Sequence, residues 1–229
     1  GKYNFLAIGT LPFLGMLFNN KKVGRVPDNK RNYLFYARTD EKGREEYFKD
    51  SEEMINLLYN VPSLALWTPF NEAWGQFDSV KACEFYRQKD PTRLIDHASG
   101  WVDHGAGDVN SFHIYFTPFS FPKYNKNDKR PIGLTEFGGY SIQAKGHCYN
   151  ITKFFGYRKY YDQEKFDEAI RNLYENRILK CIKEKGLSAI IYTEVSDVED
   201  ECNGLLSYDR EVIKVTPEVM KDINSKIKL

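Results

Sequence analysis

Two glutamates stand where this chain could use them for catalysis. Glu72 follows the apolar run SLALWTPF (63–70), and Glu136 lies near the end of the run PIGLTEF (131–137). Apolar runs of this length are typical of strands in a parallel sheet, whose carboxyl ends meet at one edge. A pair of carboxyl groups there can cleave a glycosidic bond, because one protonates the leaving oxygen while the other attacks the sugar or activates water. A single strand-end glutamate is more often a cap or an ion-pair partner, so the hypothesis depends on the pair.

The strands that would position these residues are short apolar runs separated by helix-length segments. Besides the two runs above, strands are predicted at TRLIDHA (92–98), DVNSFHIYF (108–116) and LSAIIYTEV (187–195), with a weaker one at FLAIGTLPF (5–13). Residues 19–49 are polar and basic and are predicted to form a long loop or a partial helix. Such alternation is typical of a parallel sheet with helical crossovers.

Four helices are predicted from capping residues and apolar periodicity. They run from Asp50 or Ser51 to about Asn60, from Asp78 to about Lys89, over 164–185, and from Pro217 onward. Pro62 stops the first of these helices and Gly186 ends the third. The chain as a whole, 1–229, is therefore predicted to be one catalytic α/β domain, an incomplete (β/α)8 TIM barrel.

The barrel is expected to be incomplete because an eight-stranded barrel usually needs about 250 residues. The five strong strands and the weaker one correspond to about strand 3 or 4 through strand 8. The chain begins Gly1-Lys2-Tyr3, without an initiator methionine, and reads as part of a longer protein.

Composition narrows the class of partner. Lys and Arg total 33, Asp and Glu total 32, and the net charge is +1, which gives no electrostatic reason to expect nucleic acid or an anionic membrane. Aromatic residues make up 15% of the chain, and aromatic faces suit the packing of sugar rings, although most should lie in the core. No run of 18 apolar residues occurs, so no membrane span is predicted.

The four cysteines, at positions 83, 148, 181 and 202, match no metal-ligand or redox spacing. Cys83 and Cys181 fall on helical patterns and are predicted to be small buried residues. Disulfides are not expected.

Four segments resemble glycoside hydrolase family 2, the family of β-galactosidases, β-glucuronidases and β-mannosidases. LWTPFNEAWGQFD (66–78) resembles its acid/base region, and GLTEFGGY (133–140) resembles its nucleophile region. DPTRLIDHASGW (90–101) and YTEVSDVEDECNGLLSYDREV (192–212) resemble a bacterial branch of that family. The resemblance covers roughly residues 50–215, and the four motifs occur in the family's order.

The resemblance implies a retaining double displacement, with Glu72 as the acid/base and Glu136 as the nucleophile on strands four and seven. It places Asn71 at the sugar 2-hydroxyl and makes Tyr115 the candidate that hydrogen-bonds the nucleophile. His113 is a further substrate-binding candidate. A core aromatic is the alternative for Tyr115, and a histidine bonded to a backbone carbonyl is the alternative for His113.

Three further aromatic residues are candidates for contact with the sugar. Trp74 and Trp101 fall just beyond predicted strand ends, where they could be sugar platforms or rim residues packed on a loop. Tyr192 lies where better-known family members carry a tryptophan, and this departure leaves the sugar open.

Two polar clusters are weaker candidates. The first contains Asp96, His97, Asp103, His104 and Asp108, matches no metal spacing, and is interpreted as solvated loop residues. No metal site is predicted and no cofactor is required. Some family members bind Mg²⁺ or Na⁺ near the site, which the resemblance alone suggests here.

The second cluster is the acidic run after the last strand, formed by Asp197, Glu199, Asp200 and Glu201. Its preferred interpretation is a solvated loop or the charged start of a helix, and the alternative is a polar wall of the sugar pocket.

The predicted function is therefore a retaining glycoside hydrolase that removes a β-linked sugar from a non-reducing end, with its two carboxyl groups ~5–5.5 Å apart. An endo-acting β-glycanase of the same clan and a non-catalytic carbohydrate-binding barrel are the alternatives. The expected partner is a carbohydrate, and the resemblance implies sugar-binding and β-sandwich domains ahead of the barrel in the parent protein. The cellular location stays open.

Overall fold

The computed structural model describes residues 27–72, 75–100, 102–116, 118–123 and 125–227. Five α-helices lie within these ranges: α1 (Glu41–Leu58), α2 (Ser79–Lys89), α3 (Gln163–Leu173), α4 (Leu179–Lys185) and α5 (Pro217–Lys226). A 3₁₀ turn covers Lys30–Asn32, and a π-helical turn, Tyr174–Ile178, joins α3 to α4.

Seven strands lie in the same ranges: β1 (Leu66–Trp67), β2 (Leu94–Ile95), β3 (Asn110–Ile114), β4 (Ile132–Gly138), β5 (Tyr140–Ser141), β6 (Arg158–Lys159) and β7 (Leu187–Thr193). β1 pairs with β2 in parallel, β5 pairs with β6 in parallel, and a three-stranded sheet has the order β3-β4-β7. Each of the five strongly predicted runs therefore contains a strand, whereas β5 and β6 were not predicted. The weaker run at 5–13 lies outside the described residues.

β1 and β2 are shorter than the runs that predicted them. Leu66 pairs with Leu94 and Trp67 with Ile95, and the backbone of Ser99 then donates to the carbonyl of Phe70 at 2.9 Å. Pro69 lies between these contacts and has no N–H to donate, which breaks the ladder. The two segments nevertheless run side by side up to the residues that follow β1.

Asp90 fastens this pair of strands together. Its buried carboxylate accepts hydrogen bonds from the Trp67 indole at 2.9 Å and from Arg93 at 2.7 Å. Burial alone would raise the pKa of Asp90, but the hydrogen bonds from Thr92, Trp67 and Arg93 lower the pKa below its ordinary range. The DPTR segment therefore serves to hold β2 against β1.

The helix α1 begins about ten residues before its predicted start. Asp40 caps it by accepting a hydrogen bond from the backbone of Lys42 at 3.1 Å. Gly43 suggested a loop, yet a glycine in the first turn costs only about 1 kcal/mol, and burial of Ile55 on the inner face offsets it.

The predicted bounds of α2 are confirmed, but its cap is different. The side chain of Asp78 accepts from the Tyr33 hydroxyl at 2.6 Å and makes no capping bond. Instead, the carboxylate of Asp28 accepts from the backbone of Ser79 at 3.0 Å. Asp28 is distant in sequence, so no local pattern could predict it.

The chain divides into two compact units. Among the described residues, the first comprises those up to His113 together with those of 120–133, and the second comprises those of 114–119 and those from Leu134 onward. The first unit buries two apolar clusters, one around Trp67 and Ile95 and the other around Phe70 and Phe77. The second unit buries Phe137 and the inner faces of α3 and α4, including Phe166, Ile170 and Cys181.

The helix predicted over 164–185 is present with its ends confirmed, but the π-helical turn interrupts it. Phe166, Ile170, Tyr174 and Ile178 are buried at intervals of four residues. In a straight α-helix, which advances about 100° per residue, that stripe would drift by about 40° at each interval. The wider turn takes up the drift, and Gly186, at φ +69°, then ends the helix.

Cys83 and Cys181 are buried in helices, as predicted, and all four cysteines are free thiols. Across the described ranges, no helix combines the length and the apolar character that crossing a bilayer requires.

Candidate active site

Glu72 lies in the loop after β1, and that loop is held from both sides. The Tyr47 hydroxyl of α1 donates to the carbonyl of Pro69 at 2.7 Å, and the backbone N–H of Ser99 donates to the carbonyl of Phe70. Asn71 is exposed and the Glu72 side chain is 20% exposed. The loop therefore presents the predicted acid/base residue toward solvent from an anchored backbone.

His113, near the end of β3, is buried and contacts Glu72. Its Nδ1 lies 3.0 Å from Glu72 Oε1, and its Nε2 lies 2.8 Å from the Ser99 hydroxyl. Both ring nitrogens of the imidazole are thus in hydrogen-bonding contact, one with the Glu72 carboxyl group and the other with the Ser99 hydroxyl. His113 therefore orients Glu72, and its predicted contact with the substrate stays a prediction.

Gly100 makes room for this histidine. Its φ is +100°, and a Cβ at this position would lie 2.8 Å from His113 Cγ. Only glycine adopts that backbone conformation at no steric cost and lets a ring approach so closely.

Glu136 lies on β4, and its carboxylate is held by Tyr115. The Tyr115 hydroxyl donates to Glu136 Oε2 at 2.6 Å and lies 3.2 Å from the Thr193 hydroxyl at the end of β7. A phenol has one proton, so Thr193 donates to the tyrosine. Burial and the negative charge of Glu136 raise the pKa of Tyr115, which keeps it a donor at neutral pH.

The ring of Tyr115 is fixed by stacking. Tyr157 lies parallel to it, with ring centroids 3.7 Å apart and an interplanar angle of 10°. The backbone of Tyr157 donates to the carbonyl of Gly139 at 2.9 Å, which ties this ring to the chain just after β4. Nothing in the spacing of Tyr157 predicted this contact.

Tyr192, predicted to contact the sugar, packs against the strand that carries Glu136. Its ring lies edge-on to Phe137, 5.7 Å between centroids, and its hydroxyl accepts from the backbone of Tyr140 at 3.2 Å. A Cβ at Gly138 would lie 2.2 Å from this ring. The next residue, Thr193, is the one that reaches Tyr115.

Glu194 follows Thr193 and was not singled out from the sequence. Burial, followed by the charges of Glu201 and Asp197, raises the pKa of its carboxyl to about 7, with a smaller contribution from Glu136. A carboxyl group titrating near neutral pH, close enough to Glu136 to feel its charge, is a candidate functional group.

The acidic run after β7 is not uniformly solvated. Asp197 is buried and paired with the equally buried Lys214 at 2.5 Å, while Glu199 is exposed and Asp200 and Glu201 are partly exposed. The preferred interpretation is therefore wrong for Asp197, because its partner lies on a segment that returns beside the loop. The structure also shows the Asn203 amide donating to Glu201 at 3.0 Å.

The cluster at 96–108 is also largely buried, so its interpretation as solvated loop residues is wrong for Asp96, His97 and Asp103. Arg130 pairs with Asp103 at 2.8 Å, and Arg87 pairs with Asp108 at 2.6 Å. Because arginines neutralise Asp103 and Asp108, these two carboxylates are poor ligands for Mg²⁺ or Na⁺. Trp74 and Trp101 lie outside the described residues.

Strands alternating with helices, and carboxylates at or just beyond strand ends, are typical of (β/α)8 barrels with an active site at the carboxyl edge. The family model "Glycosyl hydrolases family 2, TIM barrel domain" matches residues 18–227. The chain belongs to glycosyl hydrolase family 2, as that family's barrel domain.

Individual relatives agree with this assignment. The chain is 29% identical over 136 residues to a β-galactosidase of Priestia megaterium (strain DSM 319 / IMG 1521). The aligned region covers 58% of this chain and 11% of that protein. A β-D-glucuronidase of Dictyoglomus thermophilum superposes with a TM-score of 0.56 at 17% identity, over 83% of this chain and 37% of that one. The β-glucuronidase of Bifidobacterium dentium, complexed with coumarin-3-O-glucuronide, superposes with a TM-score of 0.57 at 16% identity. The match covers 84% of this chain and 35% of that one. These structures share the fold, and the chain spans little more than a third of their length.

Proposed function

We propose that the protein is a retaining glycoside hydrolase that removes a β-linked sugar from a non-reducing end. The hydrogen bond of 2.6 Å from Tyr115 to Glu136 is the observation that carries the proposal. A short bond from a buried phenol keeps a carboxylate ionised and fixes its direction, and a nucleophile needs both.

In the proposed reaction, Glu136 attacks the anomeric carbon while Glu72 gives a proton to the leaving oxygen. Water then hydrolyses the glycosyl ester, and Glu72 takes the proton from that water. Tyr115 stabilises the carboxylate before attack and after release. His113, bonded to Glu72 and backed by Ser99, holds the acid/base in place through both steps.

The names of the similar proteins leave the sugar open, because a β-galactosidase acts on a neutral sugar and β-glucuronidases act on an acidic one. Endo-acting cleavage is the second candidate. Exposed Phe116 and Phe155 flank Tyr157 at 5.3 and 5.4 Å between ring centroids, and such rings could bind further sugar units. Turnover that rises with the length of the oligosaccharide would favour the endo mode.

The test compares two variants of the full-length protein on β-glycosides with activated and unactivated leaving groups. Glu136→Ala should abolish formation of the covalent intermediate. Glu72→Ala should spare the first step for activated aryl glycosides but slow the second, so that the intermediate accumulates and azide restores turnover. Glu184→Ala, an exposed carboxylate on α4, is the control and should behave as wild type.

Azide rescue of Glu136→Ala that gives a glycosyl azide of retained configuration, together with rescue of Glu72→Ala that gives the inverted azide, would reverse the two roles. Undiminished turnover of every glycoside in both variants would reject the hydrolase proposal.

A further inference from the structure

Glu194 directly follows Thr193, whose hydroxyl contacts the tyrosine that holds Glu136. Its backbone N–H donates to the carbonyl of Asn203 at 3.3 Å, and its carbonyl accepts from Leu205 at 3.0 Å. The preceding Thr193 contributes the hydroxyl that contacts Tyr115. The position of Glu194 at the end of β7 is therefore set by the backbone on both sides.

One oxygen of Glu194 is shielded from solvent and has no hydrogen-bond partner within the described part of the chain. This oxygen, Oε1, shares that state with Asp197 Oδ2 and Asn203 Oδ1. A shielded carboxyl oxygen without a donor is unfavourable. Because Glu194 as a whole is partly exposed, rotation of its carboxyl group toward the O–H of a bound ligand would remove the penalty.

The charges acting on Glu194 are mostly negative. Glu201, Asp197 and Glu136 act against its ionisation, and Lys214 acts in its favour. Lys214 is already occupied, because its ammonium contacts Asp197 at 2.5 Å and the carbonyl of Cys202 at 2.8 Å. A ligand carboxylate would add a further negative charge here without gaining an open cation from these residues.

We propose that Glu194 binds a hydroxyl group of the sugar attacked by Glu136, and that the acids around it make the site select an uncharged sugar over a uronic acid. This inference rests on the proposed function, since it takes Glu136 to face the sugar. Glu194 is then a residue that sets specificity, and it does no covalent chemistry.

The test measures kcat/KM of the full-length protein for p-nitrophenyl β-galactoside, β-glucoside and β-glucuronide. Wild type should prefer the better neutral glycoside over the glucuronide by at least ~10-fold, and Glu194→Gln should lower kcat/KM for that glycoside by ~10- to 100-fold. The value of kcat/KM for the glucuronide should fall much less, so the ratio of the two kcat/KM values should become smaller. Glu199→Gln, an exposed acid of the same loop, is the matched control and should leave the ratio unchanged.

The substrate ratio separates specificity from damage, because a merely destabilised protein would lose both activities together. Wild type that cleaves the glucuronide as fast as the neutral glycosides would overturn the inference, whether or not Glu194→Gln folds. An unchanged ratio in a folded Glu194→Gln protein would also overturn it.

Calorimetry with D-galactonolactone and D-saccharolactone covers the case in which no glycoside is cleaved. Wild type that binds the neutral lactone more tightly than the acidic one, and a Glu194→Gln variant that has lost this difference, would support the role of Glu194 even though the hydrolase proposal fails. Equal binding by wild type and variant would reject the role of Glu194 itself.

Discussion

At the residue scale, the hydroxyl of Tyr115 is the group on which the orientation of Glu136 depends. Tyr115→Phe removes one hydrogen bond to a charged oxygen and keeps the ring stacked on Tyr157. Such a bond is worth about 1.5–3 kcal/mol, so kcat should fall by ~10- to 100-fold with little change in KM. Steady-state kinetics on an aryl β-glycoside measures this.

Tyr161→Phe is the matched control, because Tyr161 is 83% exposed and its loss of a hydroxyl should leave kcat unchanged. An undiminished kcat in Tyr115→Phe would mean that Thr193 or solvent can replace the phenol at Glu136.

The sequence named Glu72, Glu136 and Tyr115 as candidates because each falls in or beside a motif at a strand end. It did not predict Ser99 or Glu194. Ser99 acts through His113, fourteen residues further along the chain, and only pairing between segments brings them together. The residues around Glu194 come from a loop that folds back at Asn203, and hydrophobic periodicity does not predict where a loop folds back.

At the element scale, the close approach of Gly100 to His113 links a loop conformation to the position of Glu72. Gly100→Ala should destabilise the protein by ~2–3 kcal/mol, since it combines strain at positive φ with a clash against the ring. It should also lower kcat/KM, because His113 can retreat only by releasing Glu72. Urea unfolding and kinetics on the same preparation measure both effects.

Gly146→Ala separates the two causes. Gly146 also has a positive φ, +84°, but nothing lies within 4 Å of its added Cβ. It should show the backbone strain alone, about 1 kcal/mol, and normal activity. Equal losses in the two variants would show that the contact with His113 has no consequence.

Among the elements, the strands were more predictable than the start of the first helix. Buried strands such as β4 can be recognised in the sequence by their successive apolar residues, whereas α1 begins with exposed charged residues and Gly43. The shortness of β1 follows from Pro69, which the sequence displays, but the hydrogen bond from Ser99 that follows it could not be foreseen.

At the scale of the whole molecule, Glu194 should make stability depend on pH. Its pKa is about 7 in the folded chain, against about 4.3 for an unfolded glutamate, so the folded state binds more protons between these values. Stability should therefore fall as pH rises from about 4.5 to 7, by on the order of 1–2 kcal/mol after allowance for solvent screening.

Thermal unfolding of wild type and Glu194→Gln between pH 4.5 and 7.5 checks this sign. The variant should lose this part of the pH dependence and be relatively more stable at the upper end. Glu199→Gln should follow wild type throughout. Parallel curves for wild type and Glu194→Gln would show that the carboxyl titrates alike in both states.

Family membership was the most predictable property of the whole chain, because four motifs in a fixed order are hard to produce by chance, and the match over residues 18–227 confirms it. Charge and composition alone gave no reason to expect nucleic acid or an anionic membrane, and they identified no partner. The proposed preference for an uncharged sugar depends on which acids and cations are left unpaired, and pairs such as Asp197 with Lys214 form only after folding.

The π-helical turn at Tyr174–Ile178 also bears on how chains of this family can differ in length. A π turn contains one residue more than the α-helical turn it replaces. A relative that lacks one residue in this stretch would carry an uninterrupted α-helix there. The residues after the turn would then be rotated about the helix axis relative to those before it. Different positions of α4 would therefore face the core. A one-residue gap at this place in an alignment should therefore be accompanied by exchanges of apolar and polar positions downstream, up to the end of the helix at Gly186.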